Sequence, residues 1–273
     1  MSTNGSPAPF PAPMTLRELA QKAHATAKSK GWYEGHQSSL PVHDHPARYA
    51  LEWNRGLFHP SRMAVLPRPL FHHTNALIDE ISEAWRAICT DEPALHTAVQ
   101  YRDGKPVGLA TELADVIVVC GDLAQYWHID LADETHKEIA TDLKRTEGPL
   151  AVMDFGMPDL NLAALETYGR RRLLDSWVAQ RSAEGPATPA MYSHFIDALY
   201  RRVATVRAAT DREISTPLSL HESDPFPDAK RALGDIVRIT SITAALAQAP
   251  LVEALEVKLA YNATRPYKHG KRG

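Results

Sequence analysis

Two pairs of acidic residues have the spacing that could bring carboxylates together for chemistry. Glu80 and Glu83 form one pair, and Glu112 and Asp115 form the other. Apolar residues recur at helical spacing around both pairs, namely Leu77, Ile81, Ala84 and Ile88 in the first run and Leu113, Val116, Cys120 and Leu123 in the second. Because residues three apart are neighbours on a helix, each pair sets like charges side by side, which is unfavourable unless a cation neutralises them.

Carboxylates that converge from two packed helices suit one or two Mg²⁺ ions, and Mg²⁺ held in this way usually also holds substrate phosphates. The pattern therefore points to phosphoanhydride cleavage. The alternative is a solvated acidic face, which is common for a single pair. The position of Glu80 favours a carboxylate directed into a cleft between two helices, because it lies on the rim of the apolar stripe, three residues after Leu77 and four before Ala84. Asp122, seven residues after Asp115, shares that face and is either a supporting carboxylate or a solvated one.

The elements that must position these residues are predicted to be helices throughout. Apolar periodicity and helix-ending residues predict an all-α protein, and no stretch shows the alternation of a strand. Arg102 to Pro106 is predicted to be a turn between the two acidic helices. The predicted helices cover about residues 15–30 with Thr15 as N-cap, 75–90, a helix ending near 127, 132–145, 162–181, 191–210, 229–247 and 251–264.

Composition excludes several classes of protein. The formal net charge of −3 provides no overall basic field for nucleic acid, and no apolar run approaches the ~20 residues of a membrane span. Cys89 and Cys120 fall in predicted buried stripes without metal-ligand spacing, which fits a reducing, cytoplasmic compartment. We expect residues 1–14 to be a disordered leader, 15–145 and 161–273 to be two folded halves, and 146–160 to be a linker.

The two halves carry a faint internal repeat. Ala114-Asp115-Val116-Ile117 corresponds to Gly234-Asp235-Ile236-Val237 at an offset of 120 residues, and Lys137 corresponds to Lys258 at 121. The second half lacks the full carboxylate set. Ala232 stands where Glu112 does, and the expected counterparts of Glu80 and Glu83 are His194 and Asp197.

The C-terminal stretch combines basic and amide side chains. Lys258, Asn262 and Arg265 fall on one face of a predicted helix that Pro266 ends, and further basic residues follow. Ammonium, amide and guanidinium donors on one face can meet the oxygens of a triphosphate. The alternative is a frayed, solvated basic terminus.

Taken in order, these motifs resemble the MazG-like branch of the all-α NTP pyrophosphatase superfamily, which includes the dimeric dUTPases. The resemblance rests on Asp79-Glu80-x-x-Glu83, then Gly108-x3-Glu112-Leu-Ala-Asp115-Val116, then Lys258-x3-Asn262-x2-Arg265-Pro266-Tyr267-Lys268-His269-Gly270-Lys271. It implies hydrolysis of a nucleoside triphosphate to the monophosphate and pyrophosphate in nucleotide-pool control. It also implies Mg²⁺, with Mn²⁺ as a possible substitute.

The same resemblance implies roles for individual residues. The metal ligands would be Glu80, Glu83, Glu112 and Asp115, and water would attack the α-phosphorus while Glu80 or Glu83 acts as the catalytic base. The substrate-binding residues would be Lys258, Asn262, Arg265, His269 and Lys271, with Trp32 as a residue that could stack on the base.

This chain departs from the family in one interval, because more than a hundred residues separate its acidic helices from its basic tail. The repeat favours a fused second copy over a large insertion. The chain would then be a pseudo-dimer of two halves, and a homodimer is the other expectation. Two further readings stay open: a catalytically silent helical binding module, and an enzyme specific for dUTP or dCTP.

Overall fold

A computed structural model describes residues 13–31, 68–90, 93–148, 160–174, 187–215 and 227–266. Within these ranges the protein is mostly helical, as predicted. The helices are α1 (Leu16–Ser29), α2 (Arg68–Thr90), α3 (Leu109–Tyr126), α4 (Leu131–Thr146), α5 (Leu162–Leu174), α6 (Pro189–Ser215), α7 (Pro227–Leu246) and α8 (Leu251–Thr264), with a short 3₁₀ helix at Pro93–Thr97. We call α1–α4 the first half and α5–α8 the second half.

One part of the fold prediction was wrong, because the segment between the acidic helices contains strands. Strand β1 (Gln100–Arg102) pairs antiparallel with strand β2 (Lys105–Val107). The turn between them is Asp103-Gly104, with φ of 52° and 76°. Positive φ at both central residues is the geometry of the tight hairpin turn that Asp-Gly favours.

The core lies around α3 and α7, which are buried over almost their whole lengths. Helix α3 packs against α1, α2 and α8, whereas α7 packs against α5, α6 and α4, and the two helices also contact each other. Each half therefore contributes its last helix to the central helix of the other half. This exchange brings α8 against α3, the helix that carries Glu112 and Asp115.

Corresponding turns in the two halves have the same backbone geometry. After α3, His128 has φ of 55° and the Ile129 amide donates to the Ala124 carbonyl at 2.8 Å. After α7, Gln248 has φ of 54° and the Ala249 amide donates to the Ala244 carbonyl at 2.9 Å.

The offset in these turns is 120 residues, and it continues into the helices that follow, which begin at Leu131 and Leu251. At this offset Lys258 corresponds to Glu138, whereas the sequence comparison had matched Lys258 with Lys137, one residue earlier.

The first helices of the two halves also meet at their N-termini. Thr15 and Asn161 form an isolated antiparallel bridge, in which the Leu16 amide donates to the Leu160 carbonyl at 2.8 Å and the Leu162 amide donates to the Met14 carbonyl at 3.0 Å. Thr15 and Asn161 each cap their own helix through a side-chain oxygen. The bridge therefore joins the segments in which α1 and α5 begin.

The crossing of α5 and α7 depends on a glycine. A Cβ atom at Gly169 would lie 2.3 Å from the carbonyl oxygen of Ser241, which is backbone and cannot rotate away. We expect Gly169→Ala to lower the free energy of unfolding by about 1–3 kcal/mol, the usual cost of overpacking. Chemical denaturation checks this, with the exposed Thr167→Ala on the same helix as the control. Equal stability of the two variants would contradict the close approach.

Three smaller predictions have different outcomes. Cys120 is buried as expected, but Cys89 is exposed, so the prediction that it belongs to the buried stripe of α2 was wrong. The linker prediction falls largely on residues outside the described ranges. Among the described helices, none combines the length and apolar character needed to cross a membrane.

Candidate metal and phosphate site

Three of the four predicted carboxylates converge. Glu80 on α2 and Glu112 and Asp115 on α3 each offer an oxygen, and these atoms lie within 4.8 Å of one another. Helix α2 turns Glu80 toward α3 because its neighbours Leu77 and Ile81 are fully buried in the helix–helix contact. We call Glu80, Glu112 and Asp115 the acidic triad.

Burial sets the electrostatics of the acidic triad. It raises the pKa of Glu80 to about 8, with Asp115 and Glu112 adding to the rise by repulsion. Burial and the Asp115 charge likewise raise the pKa of Glu112 to about 7. Burial also raises the pKa of Asp115, although cations nearby oppose the change. Without a neutralising cation, ionising all three groups is therefore unfavourable.

Lys258 is the nearest of these cations. It lies on α8 of the second half, is 3% exposed, and forms an ion pair with the Oδ2 atom of Asp115. Burial alone would lower the pKa of Lys258, but the charges of Asp115, Glu112 and Glu80 raise it above the ordinary value. Lys258 is thus held charged inside the protein by the acidic triad.

The acidic triad fits a small divalent cation. Two oxygens bound to one Mg²⁺ at about 2.1 Å can be at most about 4.2 Å apart, so side-chain rotation of a few tenths of an ångström closes the observed spacing. Three carboxylates against one lysine leave excess negative charge. A carboxylate has two oxygens, so a lysine on Oδ2 of Asp115 is compatible with a cation on Oδ1.

Glu83, the fourth predicted ligand, is not part of the acidic triad. Its side chain is exposed on α2, one turn from Glu80. It nevertheless lies close enough for its negative charge to raise the pKa of both Glu80 and Glu112. Helical spacing predicted that Glu80 and Glu83 would lie on the same face of α2. In the structure, the Glu83 side chain instead lies on the solvent-facing side of the helix.

The remaining predicted residues fall into two groups. Asn262 and Arg265 lie at the end of α8 and are half-buried, with the Arg265 guanidinium 5.8 Å from the centre of the Tyr261 ring. Arg265 is close enough for its charge to oppose the rise in the pKa of Asp115. Trp32, His269 and Lys271 lie outside the described residues.

Sequence reasoning missed Lys105. This exposed lysine stands on β2, a strand that contacts both α3 and α8. Its charge opposes the burial that raises the pKa of Glu112 and Asp115. Arg102 lies directly across the strand pair from it, and like charges in that position are unfavourable. In the sequence, Arg102 and Lys105 are visible as a basic pair on either side of Asp103-Gly104. No local pattern shows that this pair lies beside the acidic triad.

Asp122 has a partner that sequence reasoning did not identify. Its side chain is mostly buried, and its Oδ1 atom lies 2.8 Å from Nδ1 of His24 on α1. Asp122 is therefore one side of a contact between α1 and α3 and is not a solvated residue.

Together, α2, α3 and α8 combine a buried acidic triad with a buried lysine, and the hairpin and the end of α8 add further positive charge. Such a site can hold a divalent cation and the oxygens of an anionic substrate next to each other. No protein-family model, curated protein or solved structure matches the chain, so the family resemblance rests on its motifs alone.

Proposed function

We propose that the protein is a Mg²⁺-dependent nucleoside triphosphate pyrophosphohydrolase of the MazG-like type, converting a (d)NTP and water to the (d)NMP and pyrophosphate. One observation carries the proposal. The carboxylates of Glu80, Glu112 and Asp115 lie within 4.8 Å of one another, and a buried lysine from the other half of the chain is paired with one of them.

The charge pattern supports a phosphoanhydride substrate. The three clustered carboxylates need a cation such as Mg²⁺ to neutralise them. A triphosphate usually binds together with Mg²⁺, but it adds negative charge of its own, which further cations must neutralise. Lys258, Arg265 and Lys105 surround the acidic triad with groups that can bind the phosphate oxygens that Mg²⁺ does not bind. An acidic site without cations around it would hold a metal but would repel the nucleotide.

Each residue then has a distinct task. Glu80, Glu112 and Asp115 would hold Mg²⁺, which when bound would neutralise phosphate charge and activate water. Glu83, which is exposed beside the triad, is the better candidate of the two glutamates for taking the proton from the attacking water. Lys258 and Arg265 would bind the phosphates and stabilise the charge that develops on the pyrophosphate leaving group.

The architecture supports a fused pseudo-dimer. Corresponding turns repeat at 120 residues, the capping residues of α1 and α5 form a bridge, and the last helix of each half packs on the central helix of the other. These are relations expected between two copies related by a two-fold axis. A site that combines α2 and α3 with α8 would then form within one chain.

A catalytically silent binding module is the competing proposal, and the triad argues against it. Burial raises the pKa of Glu80, Glu112 and Asp115 and so costs stability when they ionise, and a module that bound no cation would gain nothing in return. Buried carboxylates with raised pKa values that cluster in this way are typical of functional sites.

The test is to incubate the purified protein with Mg²⁺ and a panel of canonical and modified nucleoside triphosphates, and to measure the monophosphate and pyrophosphate formed. We expect turnover with at least one of them. Selective turnover of dUTP or dCTP would identify a specific diphosphatase, whereas no turnover with any nucleotide would favour the silent module.

Lys105 provides a second test. We expect Lys105→Ala to lower kcat/KM by about tenfold, because a hydrogen bond to a charged group contributes about 1.5–3 kcal/mol and the lower end applies to an exposed lysine. Steady-state kinetics check this, with Lys137→Ala as the matched control, since Lys137 is an exposed lysine paired with Asp133 on α4. Identical kinetics of the two variants would remove Lys105 from the site.

A further inference from the structure

A second buried cluster of charged side chains lies where the second half repeats the helix that carries the acidic triad. Asp235 on α7 corresponds to Asp115 at the offset of 120 residues and is 2% exposed. Arginines lie beside Asp235, whereas Asp115 lies beside the carboxylates of Glu80 and Glu112.

The position that faces Asp235 from α6 holds a cation. Arg202, whose side chain is 48% exposed, forms an ion pair through Nε with Oδ2 of Asp235, whereas the side chain that approaches Asp115 from α2 is the carboxylate of Glu80. The sequence comparison had assigned this place to His194, which instead is exposed and lies edge-on to Phe195. A carboxylate in the first half is thus replaced by a guanidinium in the second.

A second guanidinium enters the cluster from α7 itself. Arg238 donates through Nε to Oδ1 of Asp235 at 2.6 Å, and its Nη1 atom lies 3.3 Å from the Tyr168 hydroxyl and 3.7 Å from Oδ1 of Asp142. The residue of α3 that corresponds to Arg238 is Val118. The first half therefore has no cation at this position of its central helix.

Asp142 links the cluster to the first half, because it lies on α4. Its Oδ2 atom accepts from the Tyr168 hydroxyl at 2.7 Å and from Nε of Arg172 at 2.5 Å, and its Oδ1 atom accepts from Arg145 at 2.9 Å. Burial would raise the pKa of Asp142, but Tyr168, Arg238 and Arg172 hold it below its ordinary value. The carboxylates of this cluster are already neutralised by protein groups.

We infer that this second cluster is the counterpart of the metal site, with arginine side chains in place of the divalent cation. It therefore binds no divalent ion. Its ion pairs and hydrogen bonds instead fasten the second half to α4 of the first half. The described residues then form one reaction site, at the acidic triad. The statement about a single reaction site rests on the proposed function, whereas the fastening role does not.

Counting bound ions tests the first part. Mn²⁺ alone is titrated into the full-length protein and free Mn²⁺ is followed by electron paramagnetic resonance. We expect Asp235→Asn to leave the amount of bound Mn²⁺ unchanged and Asp115→Asn to remove it. Loss of bound Mn²⁺ in an Asp235→Asn variant that keeps the helical circular dichroism of the wild type would overturn the inference while leaving the proposed function standing.

Thermal unfolding tests the second part. Removing one partner of a buried charge pair is strongly destabilising, so we expect Arg238→Met to lower the Tm by about 5 °C or more. Arg170→Met is the control, because Arg170 is an exposed arginine on α5 paired with Glu166, and surface pairs contribute little.

If Arg238→Met does not fold, Tyr168→Phe replaces it, and loss of the hydrogen bonds that the Tyr168 hydroxyl makes to Asp142 and Arg238 should lower the Tm by about 2–4 °C. A shift no larger than that of Arg170→Met would overturn the fastening role. If the wild-type protein binds no Mn²⁺ at all, the proposed function fails, and a destabilised Arg238→Met or Tyr168→Phe would still support the arginine-filled cluster.

Discussion

Replacing Glu80 by glutamine should abolish Mg²⁺-dependent hydrolysis and at the same time make the metal-free protein more stable. The rate should fall by at least about 100-fold, because the variant loses a ligand of the ion that organises the reaction. The free energy of unfolding should rise at alkaline pH, because a buried charge that three other carboxylates repel is gone. A purely structural glutamate would not give this combination.

The pH dependence follows from the pKa of Glu80, which is about 8 in the folded protein against 4.5 for the group in its unperturbed state. A carboxyl group with a raised folded pKa costs no stability below about pH 4.5, and its cost is complete above about pH 8. The advantage of Glu80→Gln over wild type should therefore be largest above about pH 8 and should shrink as the pH falls.

Both measurements need the same control, and Glu256→Gln serves because Glu256 is an exposed carboxylate on α8. We expect it to hydrolyse nucleotide and unfold like the wild type. Wild-type turnover in Glu80→Gln would remove the metal assignment. A Glu80→Gln variant that is less stable than wild type at alkaline pH would show that Glu80 is a structural residue.

Replacing Lys258 by methionine should separate metal binding from turnover. Met keeps much of the length of the side chain without its charge, so kcat/KM should fall by about 100-fold, the effect of losing a preorganised group that stabilises developing charge. The affinity for Mg²⁺ should stay the same or rise, since one competing cation has left the acidic triad. Glu80→Gln should lose both properties, so the two variants distinguish a phosphate-binding residue from a metal ligand.

Lys258→Met should also lower the free energy of unfolding by about 3–5 kcal/mol without metal, because Asp115 would be left buried and unpaired. Added Mg²⁺ should recover part of this loss. Lys137→Met, at an exposed position, should behave like the wild type in every assay. Normal turnover in Lys258→Met would mean that the lysine is a structural partner of Asp115 only.

The helices were predictable from the apolar period, and the errors are mostly at prolines. Helix α8 was predicted at 251–264, where Pro250 and Pro266 flank it, and this agrees with the structure. Helix α2 begins at Arg68, α6 at Pro189 and α7 at Pro227, all before their predicted starts. Proline was interpreted as a break in each case, although it is favoured in the first turn, where its missing N–H costs nothing.

The site was predictable only where it is local. Spacing identified the carboxylates on α2 and α3, but it could not show that Glu83 lies outside the triad. The hairpin was missed because three-residue strands carry no readable alternation. The contacts of Lys105 and the pairing of Asp142 with Tyr168 depend on residues distant in sequence, so no local pattern contains them.

The central claim concerns which bond is broken, and hydrolysis in ¹⁸O-labelled water tests it most directly. Attack at the α-phosphorus predicts that the first products are the nucleoside monophosphate and pyrophosphate, with the solvent label in the monophosphate. Neither product should form when Asp115→Asn is used under the same conditions. Nucleoside diphosphate and labelled inorganic phosphate as first products would contradict the account.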